Sequence, residues 1–176
     1  MKRLNLGCGD KIKKGYVNLD FIKQPGVDVV HDLSKFPWPF KDNEFDEVSA
    51  SHLLEHVKEF EKTLLEIKRI CKNRGIIKIR VPHFSCGVTY RDPTHRTFFS
   101  YFSFDYYQVR NNTYEKENEL KFIEITWREL NFTRLAFPFL NFFINPFINF
   151  TPSIYERFFC WMLPCSEVLF KLRVVK

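Results

Sequence analysis

Along the first half of the chain, short apolar runs recur at close spacing: Arg3–Leu6, Tyr16–Phe21, Val27–His31, Glu44–Ala50 and Gly75–Val81. Each is bounded by Gly, Pro, Asp or Asn, the pattern of buried strands. Between the last two, Lys58–Lys72 repeats Phe60, Leu64, Ile67, Ile70 and Cys71 at helical spacing, with Glu, Lys and Arg opposite. This predicts an amphipathic helix, ended by the glycine of Asn73-Arg74-Gly75. A strand, a helix and a strand imply a parallel pair, and hence an α/β class with a doubly wound, mostly parallel sheet. Ligands of such sheets sit at the carboxyl ends of the strands.

After Pro82 the pattern becomes irregular to about Asn118. Leu120–Trp127 then alternates like a strand, and Val168–Val175 reads as the final one. Phe137–Leu163 is rich in Phe, Pro and Asn, with a short helix expected around Tyr155–Leu163. No internal repeat or low-complexity linker divides the 176 residues, so a single domain is expected.

Composition adds three constraints. Twenty-one residues are phenylalanine, more than a core of this size needs, so some rings should line a pocket or a surface. The net charge of +6 favours anionic surroundings without choosing among nucleic acid, membrane and a charged substrate. The five cysteines form an odd set with no Cys-x-x-Cys pair, which argues against a disulfide framework and a zinc knuckle and suggests a reducing, cytoplasmic setting. Met1–Leu6 runs directly into a glycine turn, so no signal peptide is expected. Asn141, Asn145, Pro146 and Asn149 interrupt the most apolar stretch, so neither is a spanning helix.

The chemistry begins where the first strand ends. Leu4-Asn5-Leu6-Gly7-Cys8-Gly9-Asp10 places two glycines there, which lets a ligand approach the backbone, although a tight turn explains them equally well. Tyr16-Val17-Asn18-Leu19-Asp20 then ends a second strand in a carboxylate, the place where open α/β folds accept ribose hydroxyls. Ile12 stands where a dinucleotide fold wants its third glycine, which tells against a nicotinamide cofactor.

Together with His31-Asp32-Leu33, with Phe45-Asp46-Glu47-Val48 leading into Leu54-Glu55-His56, and with Gly75–Pro82, these residues resemble the class I S-adenosylmethionine-dependent methyltransferases over roughly the first half of the chain. The resemblance implies a Rossmann-like fold that binds S-adenosyl-L-methionine, with residues 1–82 as the cofactor-binding half and 83–176 as substrate-side insertions and last strands. It implies that Gly7 and Gly9 border the methionine part, with Leu6 and Cys8 also at the cofactor, that Asp20 binds the ribose, and that Asp32 and Leu33 lie at the adenine. Ser51 and His52 would face the sulfonium. Two departures stand out. Asn5 occupies a position that is often acidic in the family, and Gly9 to Asp20 is too short for the usual first helix, so a loop over Asp10–Gly15 is expected in its place.

Other clusters leave alternatives open. His52-Leu53-Leu54-Glu55-His56 matches the His-x-x-Glu-His pattern of inverted zinc proteases, with both histidines one helical turn apart, but no third ligand is identifiable and no metal is expected. A zinc hydrolase is the weakest reading. Pro82-His83-Phe84 and Arg91-Asp92-Pro93-Thr94-His95-Arg96 lie beyond a strand's carboxyl end, where an acceptor would sit. His83 or His95 is placed to take a proton, and Arg91 and Arg96 to hold an acceptor carboxylate or phosphate; surface or structural roles serve them as well. The aromatic runs Phe98–Tyr107 and Phe137–Phe150 read as packing, as the wall of a greasy acceptor pocket, or as a surface lying on a membrane without crossing it. No basic cluster alternates with the rings as a nucleic-acid groove needs. The expected function is methyl transfer to a small or lipid-like acceptor. The alternative is a non-catalytic module of the same fold that docks on a partner or membrane.

Overall fold

The structure is a computed structural model and describes residues 1–110, 118–133 and 139–176. Phe137, in the second aromatic run, lies outside the described residues. Seven strands form one sheet among those described: β1 Arg3–Leu6, β2 Val17–Asp20, β3 Val29–Val30, β4 Phe45–Ser51, β5 Cys71–Pro82, β6 Ile123–Asn131 and β7 Glu167–Val174. Their order, β3-β2-β1-β4-β5-β7-β6, runs outward in both directions from β1 and β4, the doubly wound arrangement. Strands β1 to β5 are parallel, and β7 is antiparallel to both of its neighbours. This topology brings Gly7, Asp20, Ser51, Pro82 and Asn131 to one edge, where Glu167 opens β7 opposite Pro82 and Asn131.

Alternation along the strands separates two faces. Val48 and Ala50 of β4, Ile77, Ile79 and Val81 of β5, and Val168, Phe170 and Leu172 of β7 are buried in the core. Helix α1, Phe60–Ile70, covers them with Leu64, Ile67 and Ile70. The Phe98–Tyr107 run completes this layer: Phe99 and Phe104 stack at 6.0 Å, and Phe104 meets Phe170 edge-on at 4.7 Å. On the opposite face stand Asn5, Ser49, Lys78, Arg80 and Lys171, around a cavity of about 440 Å³. The Asp10–Gly15 segment is a loop. Asn5 and Asn18 hydrogen-bond each other beneath it at 3.0 Å, and Asn18 Oδ1 also accepts the Lys13 N–H. Two amides thus tie β1 to β2 where a first helix would pack.

Several expectations change. α1 stops at Ile70, and β5 starts at once with Cys71, so Asn73-Arg74-Gly75 does not cap a helix. That segment instead forms an irregularity in the β4–β5 pairing, with Arg74 at φ 63° and Gly75 so close to Cys71 that a Cβ would sit 2.5 Å from its Sγ. His52–His56 is a turn, not a helix, so its two imidazoles do not share a helical face. A short helix α2, Gly87–Arg91, follows β5. The aromatic tail forms α3, Leu140–Phe150, then α4, Pro152–Ile154, which runs on into a π-helical turn over Tyr155–Phe159. No helix of the described residues is long and apolar enough to cross a membrane.

Candidate active site

At the carboxyl edge the chain turns sharply after β1. Gly7 adopts φ 57°, and a Cβ there would sit 2.7 Å from Leu53 Cδ1, so the glycine is required both by its backbone and by its neighbour. Gly9, at φ 49°, has open space where a Cβ would project, and its N–H donates to Asp20 Oδ2 at 2.8 Å. Asp20 is 6 % exposed, and its other oxygen accepts the Ile22 N–H at 3.1 Å. Around this turn lies a cavity of about 510 Å³, within the range of small-ligand sites. Gly7, Gly9, Asp20, Asp32, Leu33 and His52 line it, joined by His31, Phe36 and His56. Bonds from the Ser34 N–H and hydroxyl hold the Asp32 carboxyl below the usual range, so it is a fixed negative charge.

Three of the residues assigned to the cofactor stand elsewhere. Leu6 is fully buried in the core, while Cys8 and Ser51 line the cavity on the opposite sheet face. Burial first, and then the Asp20 charge, push the Cys8 thiol upward, which keeps it protonated and inert.

A second cavity, about 440 Å³, adjoins the first. His52 and His56 line both, and Glu55, Asp92, His95 and Glu167 complete a cluster of imidazoles and carboxylates. His52, at φ 52°, has its Nδ1 3.4 Å from Glu55 and its Nε2 3.5 Å from Glu167, two carboxylates that are almost wholly buried. Arg80 Nε lies 3.6 Å from Glu167, and Asn131 donates to its other oxygen at 3.0 Å. Sequence reasoning did not single out Glu167, because nothing local marks it; only the pairing of β7 with β5 and β6 brings it to the site.

The acceptor-side candidates separate. His95 lines the second cavity. His83 is fully buried and lines neither cavity: Nδ1 bonds Ser85 Oγ at 2.8 Å and Nε2 bonds Glu156 Oε1 at 3.1 Å. Glu156 also accepts the Tyr101 N–H at 2.5 Å, so this pair fastens the aromatic tail to the sheet. Arg91 and Arg96 are exposed and line neither cavity.

The tail sets its polar side inward. Asn149 Oδ1 accepts the Leu130 N–H at 2.8 Å while its Nδ2 donates to the Leu130 carbonyl, Asn145 accepts the Phe132 N–H at 2.9 Å, and Asn141 pairs with both backbone groups of Thr133. These asparagines recur every fourth residue: Asn149 covers the free edge of β6 at Leu130, and Asn145 and Asn141 bond the chain just beyond the strand. The rings of Phe142, Phe143, Phe147 and Phe150 therefore point outward, with Phe142 78 % and Phe150 86 % exposed. Phe158, Trp161 and Met162 extend the same apolar surface, and Trp161 meets Phe84 edge-on at 5.7 Å beside β5.

A family model described as a methyltransferase domain matches residues 11–79. A search of curated proteins returns no match. Among solved structures, an S-adenosylmethionine-dependent methyltransferase from Archaeoglobus fulgidus superposes with a TM-score of 0.62 at 16% identity, covering 98% of this chain and 86% of that one. An S-adenosylmethionine-dependent methyltransferase from Mesorhizobium loti gives 0.58 at 13% identity, covering 98% and 90%. The cyclase SpnF gives 0.62 at 15% identity, covering 99% and 74%. The likeness to the solved structures is one of fold, and the strand order described above agrees with it. Residues 11–79 therefore match a methyltransferase domain, and the described residues carry the class I methyltransferase fold.

Proposed function

We propose that the protein transfers a methyl group from S-adenosylmethionine in the first cavity to an acceptor in the second. The observation that carries this reading is the junction of the two cavities at His52 and His56, which line both. The bound cofactor supplies a methyl group already activated by a sulfonium, so the protein's task is alignment more than activation. Gly7 and Gly9 offer bare backbone to the methionine part. Asp20 spends one acceptor site per oxygen on backbone N–H groups and keeps lone pairs for two ribose hydroxyls. Asp32, Leu33 and Phe36 take the adenine end.

At the junction, His52 and His56 would border both the methyl group supplied by the cofactor and the acceptor atom that takes it. The acceptor's proton passes to His52, where the carboxylates of Glu55 and Glu167 stabilise the charge the ring acquires. In this reading His83 is structural, and Arg91 and Arg96 have no part in the transfer. The outward aromatic surface beside β5 supports a lipid-like acceptor met at a membrane face.

Calorimetric titration tests the cofactor site. S-Adenosylmethionine and S-adenosylhomocysteine should bind and NAD should not. Hydrogen bonds to a charged group are worth about 1.5–3 kcal/mol, so Asp20→Ala should weaken binding by about ten- to a hundredfold. Unchanged affinity in a variant with unchanged thermal stability removes Asp20 from the site.

A further inference from the structure

The transfer uses Glu55 only through its contact with His52 and gives His95 no part. We infer that Glu55, His56 and His95 form a site for one divalent transition-metal ion of the zinc class in the second cavity. Only the ion's role rests on the methyl-transfer reading; its binding does not. One ligand atom from each residue lies within 4.8 Å of those of the other two. A zinc ion with ligand bonds of about 2.0–2.2 Å closes on such a set after small inward rotations of the side chains.

Two independent features point to a cation. Glu55 is 1 % exposed and neither of its carboxylate oxygens accepts a hydrogen bond; its ion contact is His52 Nδ1 at 3.4 Å. A buried carboxylate left in that state is costly, and a coordinated cation removes the cost. Both imidazoles are also oriented as ligands are. His95 Nδ1 lies 2.9 Å from the Thr89 carbonyl, which only accepts, so Nδ1 carries a hydrogen and Nε2, 3.9 Å from Asp92 Oδ2, is the nitrogen left to coordinate. His56 Nδ1 lies 2.8 Å from Thr94 Oγ1, whose own proton goes to Asp92 Oδ1 at 2.7 Å. Asp92 Oδ1 accepts the Thr94 N–H at 2.9 Å as well, so the Thr94 oxygen is left to accept from His56 Nδ1, and His56 also presents Nε2. A carbonyl behind one ring and a hydroxyl–carboxylate relay behind the other are the outer-shell partners that fix metal-binding histidines.

Two imidazoles and one carboxylate favour zinc and its neighbours over magnesium or calcium. The set differs from the zinc-protease spacing. His52 is not a ligand, and the second imidazole comes from His95, after α2. Positions left open face the cavity, where the ion would hold and polarise an acceptor hydroxyl, making a hydroxyl oxygen the acceptor atom.

The test is calorimetry of Zn2+ into tag-free, chelator-stripped protein, with Mg2+ as the control and thermal melts in parallel. One zinc per chain, a raised Tm and no response to Mg2+ are expected. Glu55→Gln and His95→Ala should each weaken zinc binding at least tenfold, and so should Thr94→Val at an exposed position that does not endanger folding. S-Adenosylmethionine titrated into the stripped wild type reports separately on the cofactor site. Zinc well below one equivalent, or equal affinity in wild type and Thr94→Val together with either ligand variant, overturns the inference and leaves Glu55 balanced by His52 alone.

Discussion

Helices α1 and α3 have the same length, eleven residues, and opposite uses of their apolar side chains. In α1 the apolar stripe of Leu64, Ile67 and Ile70 turns to the sheet, Glu61 and Lys62 face water, and Glu66 and Arg69 bond the backbone of Trp38 and Phe40. In α3 an asparagine stripe turns inward to the edge of β6, only Ile148 is buried, and the phenylalanines face out. A helix satisfies whatever the neighbouring surface lacks. The core of the sheet lacks apolar cover, whereas its free edge lacks hydrogen-bond partners. With the inner side of α3 given to amides, its rings are available for something outside the molecule.

The largest effect should come from α1. Ile67→Ala removes a fully buried side chain from the middle of the core and should cost about 2–5 kcal/mol, read as a fall in the chemical-denaturation midpoint. A loss below about 1 kcal/mol would mean that α1 packs far more loosely than its burial implies. An intermediate effect belongs to the asparagine ladder. Asn149→Leu leaves the Leu130 N–H and carbonyl without their side-chain partner and should cost about 1–3 kcal/mol although it adds an apolar group to a helix. Stabilisation by this substitution would show that the outward rings, not the amides, face the protein.

The same contrast explains what was legible in the sequence. β1, α1 and the Gly7–Gly9 turn were readable because each is amphipathic or punctuated on its own, with no need of a distant partner. Asp20 was readable as a strand-ending carboxylate, and it lines the first cavity. α3 is not legible as a helix because Pro146 and three asparagines argue locally against one, and their reason for being there, the backbone at the end of β6 and just beyond it, is a property of the sheet. Glu55 is visible in the His52–His56 motif and in the family resemblance, but not as a partner of His95. Its neighbour His95 comes from a segment beyond β5, where an irregular chain gives no spacing to read. His83 looked available for chemistry because a histidine after a strand end often is. Glu156, from the tail, is what closes it off.

The smallest effect on stability should come from the outer side of α3, and it sharpens the contrast most. Phe142→Ser with Phe150→Ser changes two largely exposed rings, so the denaturation midpoint should shift by no more than about 0.5 kcal/mol equivalent. If those rings insert among lipid headgroups, the double variant should lose much of its flotation with vesicles. Phe158 and Trp161 would still contribute, and Arg157, the only basic residue between Phe139 and Ser166, would give a modest preference for anionic lipid. Flotation equal to that of the wild type would move the docking surface away from α3. Wild-type protein that ignores vesicles but self-associates, with the association lost in the double variant, would assign the same rings to a second copy of the chain, because an apolar face of this extent is rarely left to water.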